Sequence, residues 1–204
     1  MIETSGDPFN STGSSTGGPE PPEPPQFRGA LNAAQIQAAM PKLWIGYLLA
    51  FATFVGEGIA VTRNPDLFKS SGFIVPPLEM FLPAFITGVY WLVCIYKYHK
   101  ILANIPGYKH PVSPARAVGF HFIPFFYLVW FFIWPNKIAE FVNARVKPPK
   151  MRGWIVGLVS IAGIAAGILI PALGMTLMFL GLTYLALHLT RALAVEANPD
   201  SQQT

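Results

Sequence analysis

Long apolar stretches separated by short polar ones organise this chain. The first runs from Leu43 to about Val61, followed by the polar loop Thr62 to Gly72, TRNPDLFKSSG. Pro76 and Pro77 introduce a second, from Leu78 to about Tyr96. Each is close to the ~20 residues that cross a hydrocarbon core as a helix. A third stretch, Ser113 to Asn143, reads SPARAVGFHFIPFFYLVWFFIWPNKIAEFVN. It is apolar enough to enter a bilayer, but Pro124 and Pro135 interrupt it, and Arg116 and His121 stand where a plain span carries Leu. From Trp154 to Leu193 the chain is again almost wholly apolar. One helix of that length would reach about 60 Å, roughly twice the core, so it must fold back. Pro171-Ala172-Leu173-Gly174 is the clearest turn signal inside it. This predicts two spans, about Trp154 to Ile170 and Met175 to Thr190. Ahead of the first span, Ala30 to Met40 is rich in helix formers and predicts a helix at the surface or leading inward, with Pro41 as a first-turn proline.

The pattern predicts an all-α integral membrane protein. Residues 1–29 form a Gly/Ser/Pro-rich tail, expected to be disordered because it lacks the apolar surface to offset its ordering entropy. Residues 30–195 form the helical membrane domain, and 196–204 a polar C-terminal tail. Within the first tail, PEPPEPP from Pro19 to Pro25 favours extended polyproline II, as a spacer or a proline-rich ligand. The tail shows no basic start followed by an apolar segment, so no signal peptide is expected.

Composition agrees. Hydrophobic residues make up 52% and charged residues 12%, against about 25% charged in soluble domains. The net charge of +4 is no nucleic-acid footprint, because the basic residues cluster in short loops beside apolar segments. Cys94 is the single cysteine, which excludes an intrachain disulfide and a cysteine-based metal motif. It reads as a small packed hydrophobe, and no metal site is expected.

Charge also orients the chain. Nine of the 14 Lys and Arg residues lie in two clusters. Lys97, Lys100, Lys109 and Arg116 precede or begin the third stretch, and Lys137, Arg145, Lys147, Lys150 and Arg152 end or follow it. Basic short loops stay on the cytoplasmic side. If the third stretch crossed the bilayer, one cluster would lie outside. If it enters and returns, or lies along the interface, both stay inside. This predicts four spans plus one proline-broken membrane segment, with both termini cytoplasmic. Five full spans with opposed termini are the alternative, since kinked spans are tolerated.

The stretch from Tyr96 to Asn143 also carries a motif: Tyr96, His99 and Lys100, then Ser113-Pro114, Ala117-Val118-Gly119-Phe120, Phe122-Ile123-Pro124 and Trp134-Pro135. It resembles a family of uncharacterised bacterial multi-span membrane proteins, a domain of unknown function. Tyr127 departs from the polar position expected after Phe-Ile-Pro. The resemblance covers about a quarter of the chain. It implies a helical fold in a bacterial inner membrane, plasma or intracytoplasmic, and no activity.

Candidate sites follow from polar groups at membrane depth. Ser113 and Pro114 read as an N-cap and first helical residue, placing Arg116 in a first turn where it either snorkels to headgroups or shares an anion. His121 reads either as a ligand to haem or chlorophyll, a proton relay, or a hydrogen bond between helices. His188, one turn after Tyr184, is the partner that would clamp a haem from the other side. Glu57 either faces the interface or needs a partner such as His188, Arg116 or a proton. Asn136, Glu140 and Asn143 form one face of a short helix and Ile138, Phe141 and Val142 the other, an interfacial amphipathic helix with Tyr127, Trp130 and Trp134 as belt aromatics. Gly153, Gly157, Ser160, Gly163 and Gly167 make a small-residue face on the fourth span, to pack against its own hairpin partner or another subunit.

No Walker loop, HExxH, GxSxG or cysteine pair is present, so no enzyme is expected. Three functions fit. The first is a non-enzymatic accessory or structural subunit in a larger bacterial membrane complex, with lipid and other membrane subunits as partners. The second is a haem or chlorophyll binder using His121 or His188. The third is a small transporter or lipid-handling protein with a cavity lined by Glu57 and His121.

Overall fold

A computed structural model describes residue 35 and residues 38–65, 76–105, 107–146 and 150–197. The N-terminal tail, residues 198–204, most of residues 30–40 and most of the 62–72 loop lie outside the described residues. Among the described residues the regular structure is helical, with no strand. The helices are α1 (Leu43–Arg63), α2 (Leu78–Ala103), α3 (Pro114–Gly119), a 3₁₀ turn (Phe120–Phe122), α4 (Phe126–Asn143), α5 (Gly153–Leu169) and α6 (Pro171–Ala197). Three of them, α1, α2 and α6, are long and apolar enough to cross a membrane, and α5 is apolar but shorter.

The bundle is assembled by close approaches at glycine, and two of these involve proline. Pro83 lies inside α2 and Pro135 inside α4. A helical proline donates no hydrogen bond to the carbonyl four residues back, which frees Glu79 O and Phe131 O. In both cases a glycine of a neighbouring helix lies against the freed carbonyl. Gly56 of α1 meets Glu79 O, and a Cβ on Gly157 of α5 would stand 2.7 Å from Phe131 O. Weak Cα–H···O contacts of this kind are worth ~0.5–1 kcal/mol. Pro135 therefore does not break its helix, contrary to the reading from its sequence.

The α5–α6 hairpin turns on one residue. Ile170 leaves the helical region at φ −138°, ψ 92°, and Pro171 already starts α6, where a missing N–H costs nothing. Pro171-Ala172-Leu173-Gly174 is thus the first turn of α6 and not the loop expected of it. Gly174 serves the packing: a Cβ there would lie 2.5 Å from both Gly163 O and Gly167 Cα.

The third stretch does break at Pro124. Ser113 Oγ accepts from Arg116 N at 3.3 Å and caps α3. Ile123 is extended (φ −87°, ψ 116°), as a residue before proline prefers. Phe125 then takes a positive φ of 61° with ψ −36°, a sparsely populated backbone state that costs ~1–3 kcal/mol. The chain reverses, and the two arms pack on each other. Trp130 Nε1 donates to Ala117 O at 2.9 Å, and the Phe120 ring meets those of Phe126 and Trp130 at 5.4 and 4.8 Å.

That reversal corrects the belt. Trp130 and Trp134 are buried, Trp134 completely, and Tyr127 is half-buried. Ile138, Phe141 and Val142 also face the core. The apolar face of α4 covers protein, because the hairpin turns it towards α2 and α5. Asn143 closes the α4–α5 connection instead: its side chain accepts from Met151 N at 2.7 Å and donates to Met151 O at 2.8 Å.

Candidate functional site: a buried histidine–tryptophan cluster

Three of the four histidines converge. His99 lies in the last turns of α2, His110 in the following loop and His121 in the 3₁₀ turn. Loop 107–113 folds back over α2, and the α3 hairpin stacks behind it. His99 Nδ1 and His110 Nε2 share a hydrogen bond of 2.7 Å. His110 Nδ1 makes a long 3.5 Å contact with the Tyr108 hydroxyl. Arg145, at the end of α4, covers this corner, its guanidinium 5.1 Å from the Tyr108 ring and 3.8 Å from that of Phe141. Such cation–π contacts contribute ~0.5–1 kcal/mol at exposed sites and more when dry.

Tryptophan walls the inner side. Trp134 of α4 touches Trp91, His99 and His121, with ring centroids 6.4, 5.9 and 6.5 Å away. Trp91 meets His121 edge-on at 5.2 Å, and Phe131 closes on both at 5.7 and 5.3 Å. His99 is completely out of contact with solvent. Within this cluster four buried ring nitrogens have no hydrogen-bond partner in the protein: Trp91 Nε1, His99 Nε2, His121 Nε2 and Trp134 Nε1. A buried polar group left bare costs ~1–3 kcal/mol, so four in one cluster is an unusual concentration.

The loop side is electrostatically tuned. Burial depresses His110, to about 4, because a half-dry ring disfavours the charged form. Burial raises the Tyr108 hydroxyl, with Arg145 opposing it. His110 is therefore neutral at pH 7 and serves as a hydrogen-bonding ring.

The other sequence candidates fall elsewhere. Glu57 is buried, and its carboxylate accepts the backbone N–H of Ala172. It caps the first turn of α6, where the helix dipole favours a negative group. Neither His188 nor Arg116 is its partner. It borders a shallow groove of about 500 Å³ with Phe54, Val61, Leu169 and Ile170, and His121 does not line that groove. His188 packs edge-on against Tyr184 at 4.6 Å and shares none of the His121 ring neighbours. Arg116 is exposed. The small-residue face of α5 divides: Gly153 lies against Asn136, Gly157 against Phe131 and Phe132, and Gly163 and Gly167 against α6. Ser160 is buried and donates to Val156 O at 2.8 Å. Among the described residues, no group of three or more His, Cys, Asp or Glu is placed to hold a metal ion.

His99, His110 and Trp91 are the site residues that the sequence reading passed over. Their signal was density, three of four histidines within residues 99–121. It was masked because His99 and His110 stand beside Lys100 and Lys109 in a basic stretch. Comparison with protein-family models, curated proteins and solved structures finds no match.

Proposed function

We propose that this chain is a non-enzymatic, proton-responsive membrane protein whose working part is the histidine–tryptophan cluster. One observation carries the reading: four buried ring nitrogens without a protein partner adjoin a 2.7 Å histidine–histidine hydrogen bond. Neutral histidines in a dry aromatic site are poised to change hydrogen bonding when a proton arrives. Such a change would pull on three elements at once, because the rings come from α2, loop 107–113 and the α3–α4 hairpin.

In this reading α1, α2, α5 and α6 span a bacterial inner membrane, and the α3–α4 hairpin enters and returns. The exposed apolar residues Phe122, Ile123 and Phe125 at its tip support insertion into lipid. Lys97, Lys100, Lys109, Lys150 and Arg152 then gather on the cytoplasmic side, with both termini. Cysteine scanning tests this topology: labelling at Lys109 and Lys150 from opposite faces of the membrane would sink it. The protein works as an accessory subunit, passing the state of the cluster to a larger complex. The glycine face lends that idea no support, because its glycines are occupied within the chain.

Tryptophan emission tests the function, since an imidazolium beside an indole quenches it. In lipid nanodiscs, emission should fall as the pH drops from 7.5 to 3.5, and Trp91→Phe with Trp134→Phe should remove most of the change. Emission independent of pH would refute the reading. A haem or pigment reading draws on the same free Nε2 atoms of His99 and His121. A coloured preparation whose absorption is lost in His121→Ala would favour it.

A further inference from the structure

The groove beside Glu57 offers side-chain acceptors and no free side-chain donor. Two hollows of about 500 and 530 Å³ adjoin at Phe54 and Ile170, which line both, and follow α1 beside the α5–α6 turn. Val61 and Thr62 line one end, and Tyr47 and Thr176 the other. Between Tyr47 and Thr62, α1 rises roughly 22 Å, most of the ~30 Å hydrocarbon core. Glu57, on the wall, is only 8% exposed. Among the described residues its carboxylate has one hydrogen-bond partner, the Ala172 N–H, and the second oxygen has none. Thr62 and Thr176 donate their hydroxyl hydrogens to Ile59 O and Ala172 O, both at 2.8 Å, and keep only lone pairs. Thr183 likewise donates to Phe179 O, so the Tyr47 hydroxyl spends its hydrogen on Thr183 at 2.8 Å.

We propose that this groove binds a single-chain primary ammonium amphiphile, with its ammonium on the Glu57 carboxylate and its alkyl chain laid along α1 towards Tyr47. The site is separate from the histidine cluster and does not depend on it. The positive end of α6 favours a negative group at this place, and a carboxylate at membrane depth is paired as a rule. No cation of the described residues contacts Glu57, so the guest supplies one. A primary ammonium has three donors and no acceptor, which suits a carboxylate oxygen and the lone pairs of Thr62. A quaternary ammonium, without N–H, would leave them bare. From Glu57 to Tyr47, α1 rises about 15 Å, the reach of a dodecyl chain. The flanking Phe51 and Phe54 are exposed, so the groove is open sideways for a chain entering from lipid. The tail gains little by entering, because lipid is as apolar as the groove. The carboxylate therefore sets the selectivity.

Photo-crosslinking on the full chain, in phosphatidylcholine nanodiscs at pH 7.5, tests this. Two probes are compared, dodecylamine and dodecanol, each with a diazirine in the chain, and the labelled residues are mapped by mass spectrometry. The exposed Phe85 of α2 reports ordinary contact with the bilayer. Dodecylamine should label Phe54, Ile170 and Leu173 roughly ten-fold more than Phe85, as a charge-assisted hydrogen bond implies, while dodecanol labels both regions alike. Unlabelled dodecylamine should compete for the groove and dodecanol should not. Glu57→Gln, which keeps an acceptor for Ala172 N–H, should abolish the preference for the amine. Equal behaviour of the two probes on the wild-type chain overturns the proposal and makes the groove an ordinary lipid boundary. A preference for the amine that survives Glu57→Gln overturns it as well. If Glu57→Gln does not fold, the comparison of probes on the wild-type chain alone decides.

Discussion

Gly56 and Gly58 stand two residues apart on α1, yet substitution by alanine should move stability in opposite directions. A Cβ on Gly56 would overlap the Glu79 carbonyl, a backbone atom unable to swing aside, whereas one on Gly58 meets nothing within 4 Å. Alanine gains about 1 kcal/mol over glycine in a helix. At Gly58 that gain stands nearly alone, so Gly58→Ala should stabilise by roughly 0.5–1 kcal/mol. At Gly56 the seam between α1 and α2 must open, at an overpacking cost of about 1–3 kcal/mol. The weak contact to the carbonyl freed by Pro83 is lost as well, another ~0.5–1 kcal/mol. The net loss for Gly56→Ala is therefore about 0.5–3 kcal/mol. Both variants can be followed by thermal unfolding in one detergent, read by circular dichroism and by retention of the monomer peak. If both shift the midpoint the same way, or Gly56→Ala is silent, the glycine–carbonyl seam is not what joins these helices.

Other consequences are measurable in the same way. Glu57→Ala should cost about 1–2 kcal/mol by uncapping α6, and Glu57→Gln, which keeps an acceptor oxygen, clearly less; equal losses would refute the cap. Asn143→Ala removes both bonds to Met151 and should cost about 1–3 kcal/mol, and protease sensitivity of the α4–α5 connection should rise with it. The buried, neutral His110 makes stability fall in acid. Its ordinary value near 6.5 drops to about 4 on folding, so the unfolded chain binds the proton more readily. The contribution is full above pH 6.5 and is lost as the pH falls through 4. For a wholly dry ring the difference would be worth about 3 kcal/mol; partly exposed, His110 keeps on the order of half. His110→Asn should flatten the unfolding midpoint between pH 7 and 4, and an unchanged slope would refute the assignment.

Much of the fold was legible because a bilayer imposes simple rules. Apolar length located α1 and α5 to within two residues, while α2 and α6 run on past the ends of their apolar spans, to Ala103 and Ala197. Pro124 was read correctly as a break, since Ile123 before it is driven extended. Pro135 and Pro171 were misread for one reason. Proline states which bond is missing, but only the neighbours determine whether that matters. Pro135 sits beside Gly157, which meets the freed carbonyl. Pro171 sits at a helix start, where no bond was due.

Helical content, apolar reach and the crowding of basic residues beside the third stretch belong to the sequence alone, because each depends only on local composition and chain geometry. The site does not. His99, His110 and His121 are each 11 residues apart, a separation that brings nothing together in a continuous helix. They meet because loop 107–113 folds back and Phe125 reverses the hairpin. Trp130 and Trp134 looked like interface anchors by composition and became core for the same reason. Burial, and with it the unsatisfied nitrogens that mark the site, is a property of what packs against a residue, and only tertiary structure decides that.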